Sequence, residues 1–221
     1  MRIALFDLDN TLLAGDSDVE WPRFLISKGI LDAESTAREN DRFFEHYKAG
    51  TLDIQAFLAF QLSPLGRFKR AELDELHREY MRQHIVPLIS DKARALVKQH
   101  QDAGDLVLII TATNRFVTGP IAREFGIEHL IATEPEIIDG EYTGKPTGIP
   151  CFQAGKITRL QHWLQARGEK LTDFEESWFY SDSRNDLPLL EQVSHPVAVD
   201  PDDTLRAYAE AHGWPVISLR N

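Results

Sequence analysis

A chain of 221 residues, 43% hydrophobic and 27% charged, has the makeup of a folded globular protein, either one large domain or a core with an inserted module. Its net charge of −11, from 24 basic and 35 acidic residues, sets the surface against nucleic acid and anionic lipid, so neither is an expected partner. No apolar run approaches a membrane span, Asp7 and Asp9 break the apolar start before a secretion signal forms, and the single Cys151 rules out an internal disulfide; a cytoplasmic location is expected.

In chain order, Arg2-Ile3-Ala4-Leu5-Phe6 is a short apolar run bounded by acids, the pattern of a strand buried on both faces of a parallel sheet. Residues 13–87 lack such runs and carry helical spacing instead. Phe43, Phe44 and Tyr47 recur at helical intervals, as do Phe57, Leu58 and Leu62, then Leu73, Leu76 and Tyr80. Turn signals at Lys28-Gly29, Ala49-Gly50 and Ser63-Pro64 divide the segment into four helices, an inserted cap whose aromatics are expected to pack its own small core. The strand pattern returns at Leu106–Ile110, ending at Thr111, at Trp178–Tyr180, and at Pro196–Val199. Helical stretches run from Arg115 to Phe125, Gly155 to Gln165 and Leu187 to Val193, with a last helix from Asp203 to His212 and a strand at Trp214–Ile217. Asp139-Gly140 marks a hairpin turn within residues 137–142. The alternation predicts an α/β doubly wound parallel sheet formed by residues 1–12 and 88–221, with the helical cap at 13–87 between them.

Chemistry gathers where the strands end, the edge of an open parallel sheet at which ligands collect. Asp7-Leu8-Asp9-Asn10-Thr11 follows the first strand, and residues two apart on an extended segment face one way, so Asp7 and Asp9 are expected to converge there. Crowded carboxylates are relieved by a proton or a metal cation, and the pair suits an ionised nucleophile, Asp7, beside an acid/base, Asp9. Such a motif also caps turns. Thr111 and Ala112 lie ahead of a helix whose free amides suit phosphate oxygens, with Thr113 or Asn114 as the helix cap. Lys156 opens a helix against its dipole unless an anion sits before it; Lys145 is the competing lysine. Ser181-Asp182-Ser183-Arg184-Asn185-Asp186 follows another strand. Asp182 lands on the edge that carries Asp7, Asp186 can orient Lys156 or a metal-bound water, and Asn185 serves the phosphate or the turn. One carboxylate from each of two strands plus a backbone carbonyl suits Mg²⁺. Together these groups are what phosphoryl transfer to and from a small soluble phosphomonoester requires. The alternatives are a phosphoacceptor signalling domain, which has no need of so large a cap, and a non-hydrolytic phosphometabolite-binding protein.

These four ordered motifs closely resemble those of the haloacid dehalogenase-like hydrolases, in particular the phosphoserine-phosphatase-like group with a helical cap after the first motif. The resemblance spans nearly the whole chain. It implies Asp7 as nucleophile, Asp9 as acid/base and metal ligand through its carbonyl, Asp182 as second metal carboxylate, and Thr111 and Lys156 on the phosphate. Ser181 departs from the family's usual glycine. Asp16 stands where phosphoserine phosphatases carry a cap glutamate for the substrate amine, with Asp18 and Glu20 beyond; Arg67 and Arg70 are available for a substrate carboxylate. Related members act on histidinol phosphate, an amine without a carboxylate, and the acids suit either substrate. Ser17-Asp18-Val19-Glu20 also fits a capping box, which gives these acids a purely local role.

Overall fold

The computed structural model describes residues 1–49 and 51–220; Gly50, half of one expected turn, and the side chain of Tyr47 lie outside the described residues. Strand β1 (Arg2–Phe6) is central in a seven-stranded sheet of order β4-β3-β2-β1-β5-β6-β7, where β2 is Leu106–Asn114, β3 His129–Ile138, β4 Glu141–Thr147, β5 Glu176–Ser181, β6 His195–Val199 and β7 Val216–Ile217. All neighbours pair in parallel except β3 with β4, whose hairpin turns at Asp139-Gly140 with both residues at positive φ, 52° and 82°. Alternate residues of each inner strand feed opposite faces. Ala4, Phe6, Val107, Ile109 and Tyr180 join one apolar cluster, and Ile3, Leu5, Leu108, Ile110 and Phe179 the other. That two-sided burial is why these strands read as continuous apolar runs.

Between β1 and β2 the chain is helical: α1 (Ser17–Ser27), α2 (Ala33–Lys48), α3 (Ile54–Leu62) and α4 (Arg70–Tyr80), followed by α5 (Asp91–Asp102), which returns to the sheet. The fold is thus α/β with an inserted helical cap. Trp21, Phe24, Leu62, Leu65, Leu73 and Tyr80 of this insertion join the cluster on one sheet face, so the cap is packed onto the core. Where the chain leaves and re-enters the sheet the two connections pair, Leu13 bridging Ile89 antiparallel and Ala14 N–H donating to the Leu88 carbonyl at 2.8 Å. Gly66 lets the cap meet the β3–β4 hairpin: a Cβ there would stand 2.6 Å from the Thr143 carbonyl oxygen.

The remaining helices are α6 (Arg115–Glu124), α7 (Ala154–Ala166), α8 (Leu187–Leu190) and α9 (Asp203–His212). Several expectations need correction. β2 continues past Thr111 to Asn114, and α8 stops at Leu190 rather than Val193. β7 spans two residues, because Pro215 has no N–H and Trp214 N–H turns back to the Ala209 carbonyl. The core strand β3 and the helix α5 are additions to the elements expected.

Candidate active site

The loop after β1 sets the site. Asp7 N–H continues the ladder to the Tyr180 carbonyl at 2.9 Å, after which the chain turns: Asp9 is extended and Asn10 adopts φ 57°, its N–H reaching the Gly15 carbonyl. Because of this turn the two acids take different hydrogen-bond partners, although both line one cavity. The buried Asp7 accepts from Lys156 Nζ at 2.8 Å on Oδ1. Lys156 Nζ also donates to Asp186 Oδ2 at 2.7 Å, which accepts in addition from Ser181 Oγ at 2.7 Å. The serine that replaces the expected glycine thus fixes the carboxylate that holds the lysine. Lys156 reaches in because Gly155 permits a close start to α7; a Cβ there would fall 2.0 Å from the Pro150 carbonyl oxygen. Lys145, the rival, is exposed and lies outside the cavity.

Thr11, fully buried, connects Asp7 to Asp182. Its hydroxyl lies 3.3 Å from Asp7 Oδ2 and 3.1 Å from Asp182 Oδ1, with one proton to give, and it accepts the Asp182 N–H at 3.0 Å. Burial pushes the Asp7 carboxyl up to about 7, with Lys156 opposing and Asp186 adding to the rise. Burial, then the charge of Asp7, raises Asp182 to about 7. Burial works against the Lys156 ammonium, but Asp186 and Asp7 more than offset it and hold its pKa above the usual lysine range.

Asp9 accepts from Ser17 N–H at 2.6 Å and Ser17 Oγ at 2.5 Å on Oδ1, and from Thr113 Oγ1 at 2.8 Å on Oδ2. Thr111 Oγ1 is 3.5 Å from Oδ2, near the limit of a hydrogen bond, and itself accepts the Thr113 N–H. Asn114 caps α6. Asp16, not Ser17, caps α1, accepting from Asp18 N–H at 2.9 Å and Val19 N–H at 3.1 Å, which corrects the capping box expected from Ser17. Asp18 Oδ2 accepts from Gln61 Nε2 at 3.1 Å. Burial is the main cause of the raised values here too, about 7 for Asp9 and Asp18 and about 6 for Asp16, with their mutual repulsion adding to it.

All of Asp7, Asp9, Asp16, Asp18, Thr111, Ala112, Lys156, Asp182, Asn185 and Asp186 line one cavity of about 710 Å³ that runs from the sheet edge into the cap. Phe43, Phe57, Leu58 and Leu62 form its far wall, so these apolar residues serve the cavity as well as the cap core. Arg67 and Arg70 do not line it; Arg70 lies over the Tyr142 ring and bonds Asp74, while Arg23 takes a place in the wall and pairs with Glu20 at 2.6 Å. Thr11, Ser17, Thr113 and Gln61 are functional candidates that the sequence reading left without a part in the site, Ser17 and Thr113 reading as capping residues. Only Thr11 carried a signal, its place in the first motif. Among the described residues no three His, Cys, Asp or Glu side chains are grouped to hold a metal by themselves. Asp9 turns its carboxylate to Ser17 and Thr113. The buried Asp7 and the half-buried Asp182 remain as two mutually repelling carboxylates, and they fit a hard cation such as Mg²⁺, which takes one or two carboxylates and completes its shell with carbonyl, water and phosphate oxygens.

Residues 4–191 match the family model for haloacid dehalogenase-like hydrolase. A histidinol-phosphatase of Neisseria meningitidis serogroup C is 50% identical over 220 residues, 99% of each chain. A crystal structure of a protein of unknown function from Bordetella pertussis superposes with a TM-score of 0.94 at 48% identity, covering 99% of both chains. A phospho-aspartyl intermediate analogue of phosphoserine phosphatase shares the fold, with a TM-score of 0.66 at 17% identity over 99% of this chain and 93% of the other.

Proposed function

The chain belongs to the haloacid dehalogenase-like hydrolases and is a phosphatase, and we propose that it cleaves a small phosphomonoester bearing an amine and no carboxylate, of the histidinol phosphate type. The observation that carries this reading is the cavity itself. Its sheet end offers Lys156 between Asp7 and Asp186, and the adjoining wall offers Asp9, Asp16 and Asp18, whose hydrogen bonds include no basic partner among the described residues. A phosphate suits the first and an ammonium the second. The apolar wall beyond, Phe43 and Phe57, suits a flat ring. The identity to a histidinol-phosphatase supports the same substrate type.

In this mechanism an Asp7 oxygen bonds to phosphorus as the ester P–O bond breaks, and Asp9 gives its proton to the leaving alcohol oxygen. Asp9 then takes a proton from water as the water oxygen attacks phosphorus and frees Asp7. Lys156, Thr111 and the backbone at Ala112 hold phosphate oxygens, with Asn185 at the mouth, and Asp186 keeps the lysine aimed. The Asp7 and Asp182 carboxylates with the Asp9 carbonyl would hold Mg²⁺, whose charge would keep Asp7 ionised and offset that of the phosphate. The core is residues 1–12 and 88–221 and the cap 13–87, with the paired connection at Leu13 and Ile89 at the seam. A cytoplasmic site of action suits the lone, buried Cys151. Steady-state assays with histidinol phosphate and phosphoserine, with Mg²⁺ and with chelator, test the proposal. We expect kcat/KM for histidinol phosphate to be at least about tenfold higher, since the carboxylate of phosphoserine meets the acidic wall. A preference for phosphoserine, or full activity in chelator, overturns it.

A further inference from the structure

The carboxylate of Asp9 is gripped from two sides of the molecule. From the core, Thr113 on β2 donates to Oδ2 at 2.8 Å; from the cap, Ser17 places both its N–H and its hydroxyl on Oδ1, at 2.6 and 2.5 Å. Ser17 is the first residue of α1 and has no exposed surface. Its carbonyl accepts from the hydroxyl of Tyr80, at the end of α4, at 2.7 Å. Tyr80 is itself fully buried, edge-on to Trp21 at 5.1 Å. A run of hydrogen bonds therefore joins two cap helices to an acid of the sheet edge.

Resting on the reading of Asp9 as acid/base, we propose that Ser17 is a positioning residue for it, seated by Tyr80, and that it decides which oxygen of Asp9 carries the proton. A carboxylate oxygen has two lone pairs. Both on Oδ1 are taken by donors from Ser17. Oδ2 has one short donor, Thr113, and lies toward Thr111 on the phosphate side. The transferable proton accordingly resides on Oδ2. The cap thereby supplies part of the catalytic geometry, as well as enclosing the substrate.

The test separates positioning from simple support of the fold by the leaving group. An alkyl phosphate needs a proton on its departing oxygen, whereas p-nitrophenyl phosphate does not, yet both need water activated afterwards. Ser17→Ala is expected to lower kcat/KM for an alkyl phosphate by about 10- to 100-fold and for p-nitrophenyl phosphate by no more than about threefold. It should also release one equivalent of nitrophenolate in a burst before slow turnover, as the phosphoenzyme accumulates. Ser17→Pro removes both donors at a helical position where proline is tolerated, and should widen the split. Tyr80→Phe should give a smaller split of the same sign; unchanged kinetics would remove Tyr80 from the proposal. Equal losses on both esters without a burst in a folded Ser17→Ala protein would overturn it. Asp9→Asn, measured alongside, distinguishes the failures. If Asp9→Asn itself shows no split, the acid/base reading is at fault; if it splits and Ser17→Ala does not, the positioning role is.

Discussion

Five acids of the cavity form two groups that differ in what answers their charge. At the sheet edge Asp7 and Asp186 share the ammonium of Lys156, so much of their burial is compensated within the protein. Asp9, where the sheet edge meets the cap, and Asp16 and Asp18 of the cap accept, among the described residues, from Ser17, Thr111, Thr113, Gln61 and backbone N–H groups, none of them cationic. Neutral donors stabilise a buried carboxylate less than a cation does. The first group thus carries a cation of its own, although burial still leaves Asp7 raised, while the second has none until something positive arrives. That asymmetry is what a site for a phosphate on one side and an amine on the other requires.

The largest effect lies in the compensated group. Asp7→Asn should lower turnover by about 10⁴-fold or more, because the amide cannot attack phosphorus, while circular dichroism shows the fold retained, since its oxygen can still accept from Lys156. Wild-type turnover in that variant would exclude Asp7 as nucleophile. Next, Lys156→Met strands two buried carboxylates and should cost about 3–5 kcal/mol in urea unfolding. Adding Asp186→Asn should recover part of it. A Lys156→Met protein as stable as wild type would mean that the lysine does not compensate these acids.

Much of this asymmetry was legible in the sequence, and what was not has a physical reason. Asp7 and Thr111 follow apolar runs directly and Asp182 follows one after Ser181, and a strand buried on both faces announces itself and its end. Lys156 stood out because a cation at a helix start is disfavoured unless something offsets it. β3 escaped because its buried Leu130-Ile131-Ala132 is short and flanked by Glu128, His129 and Thr133. α5 escaped because the face it buries is made of Ala93, Val97 and His100, a weak apolar stripe. Ser17 and Thr113 read as ordinary capping residues, and only the turn at Asn10 and the docking of α1 bring them to Asp9. Contacts made across the fold leave no local trace.

The uncompensated group is tested through the substrate. Asp16→Asn keeps the cap on α1, since asparagine serves that position as well as aspartate, so it removes charge with little structural cost. Combined with Asp18→Asn it should lower kcat/KM for an amine-bearing phosphomonoester by about tenfold and leave a neutral ester nearly unchanged. Equal losses on both would remove the case for amine recognition.

The smallest effect is also the most direct reading of the comparison, because it needs no substrate. Burial and the charge of Asp9 raise Asp18 from 3.8 to about 7. Between those values the folded protein binds a proton that the unfolded chain does not, so stability rises as the pH falls through 7 toward 4. At pH 8 the full penalty of the ionised group is present. Asp18→Asn removes it, and the variant should be more stable than wild type there by roughly 1–2 kcal/mol, a figure reduced for partial solvent screening. The two should converge as the pH approaches 4. Measured by urea unfolding in chelator, a stability gain at pH 8 would show a residue kept for function at the expense of the fold. A variant less stable than wild type at pH 8 would mean that the bond from Gln61 outweighs the burial of charge, and that this wall is as self-sufficient as the lysine side.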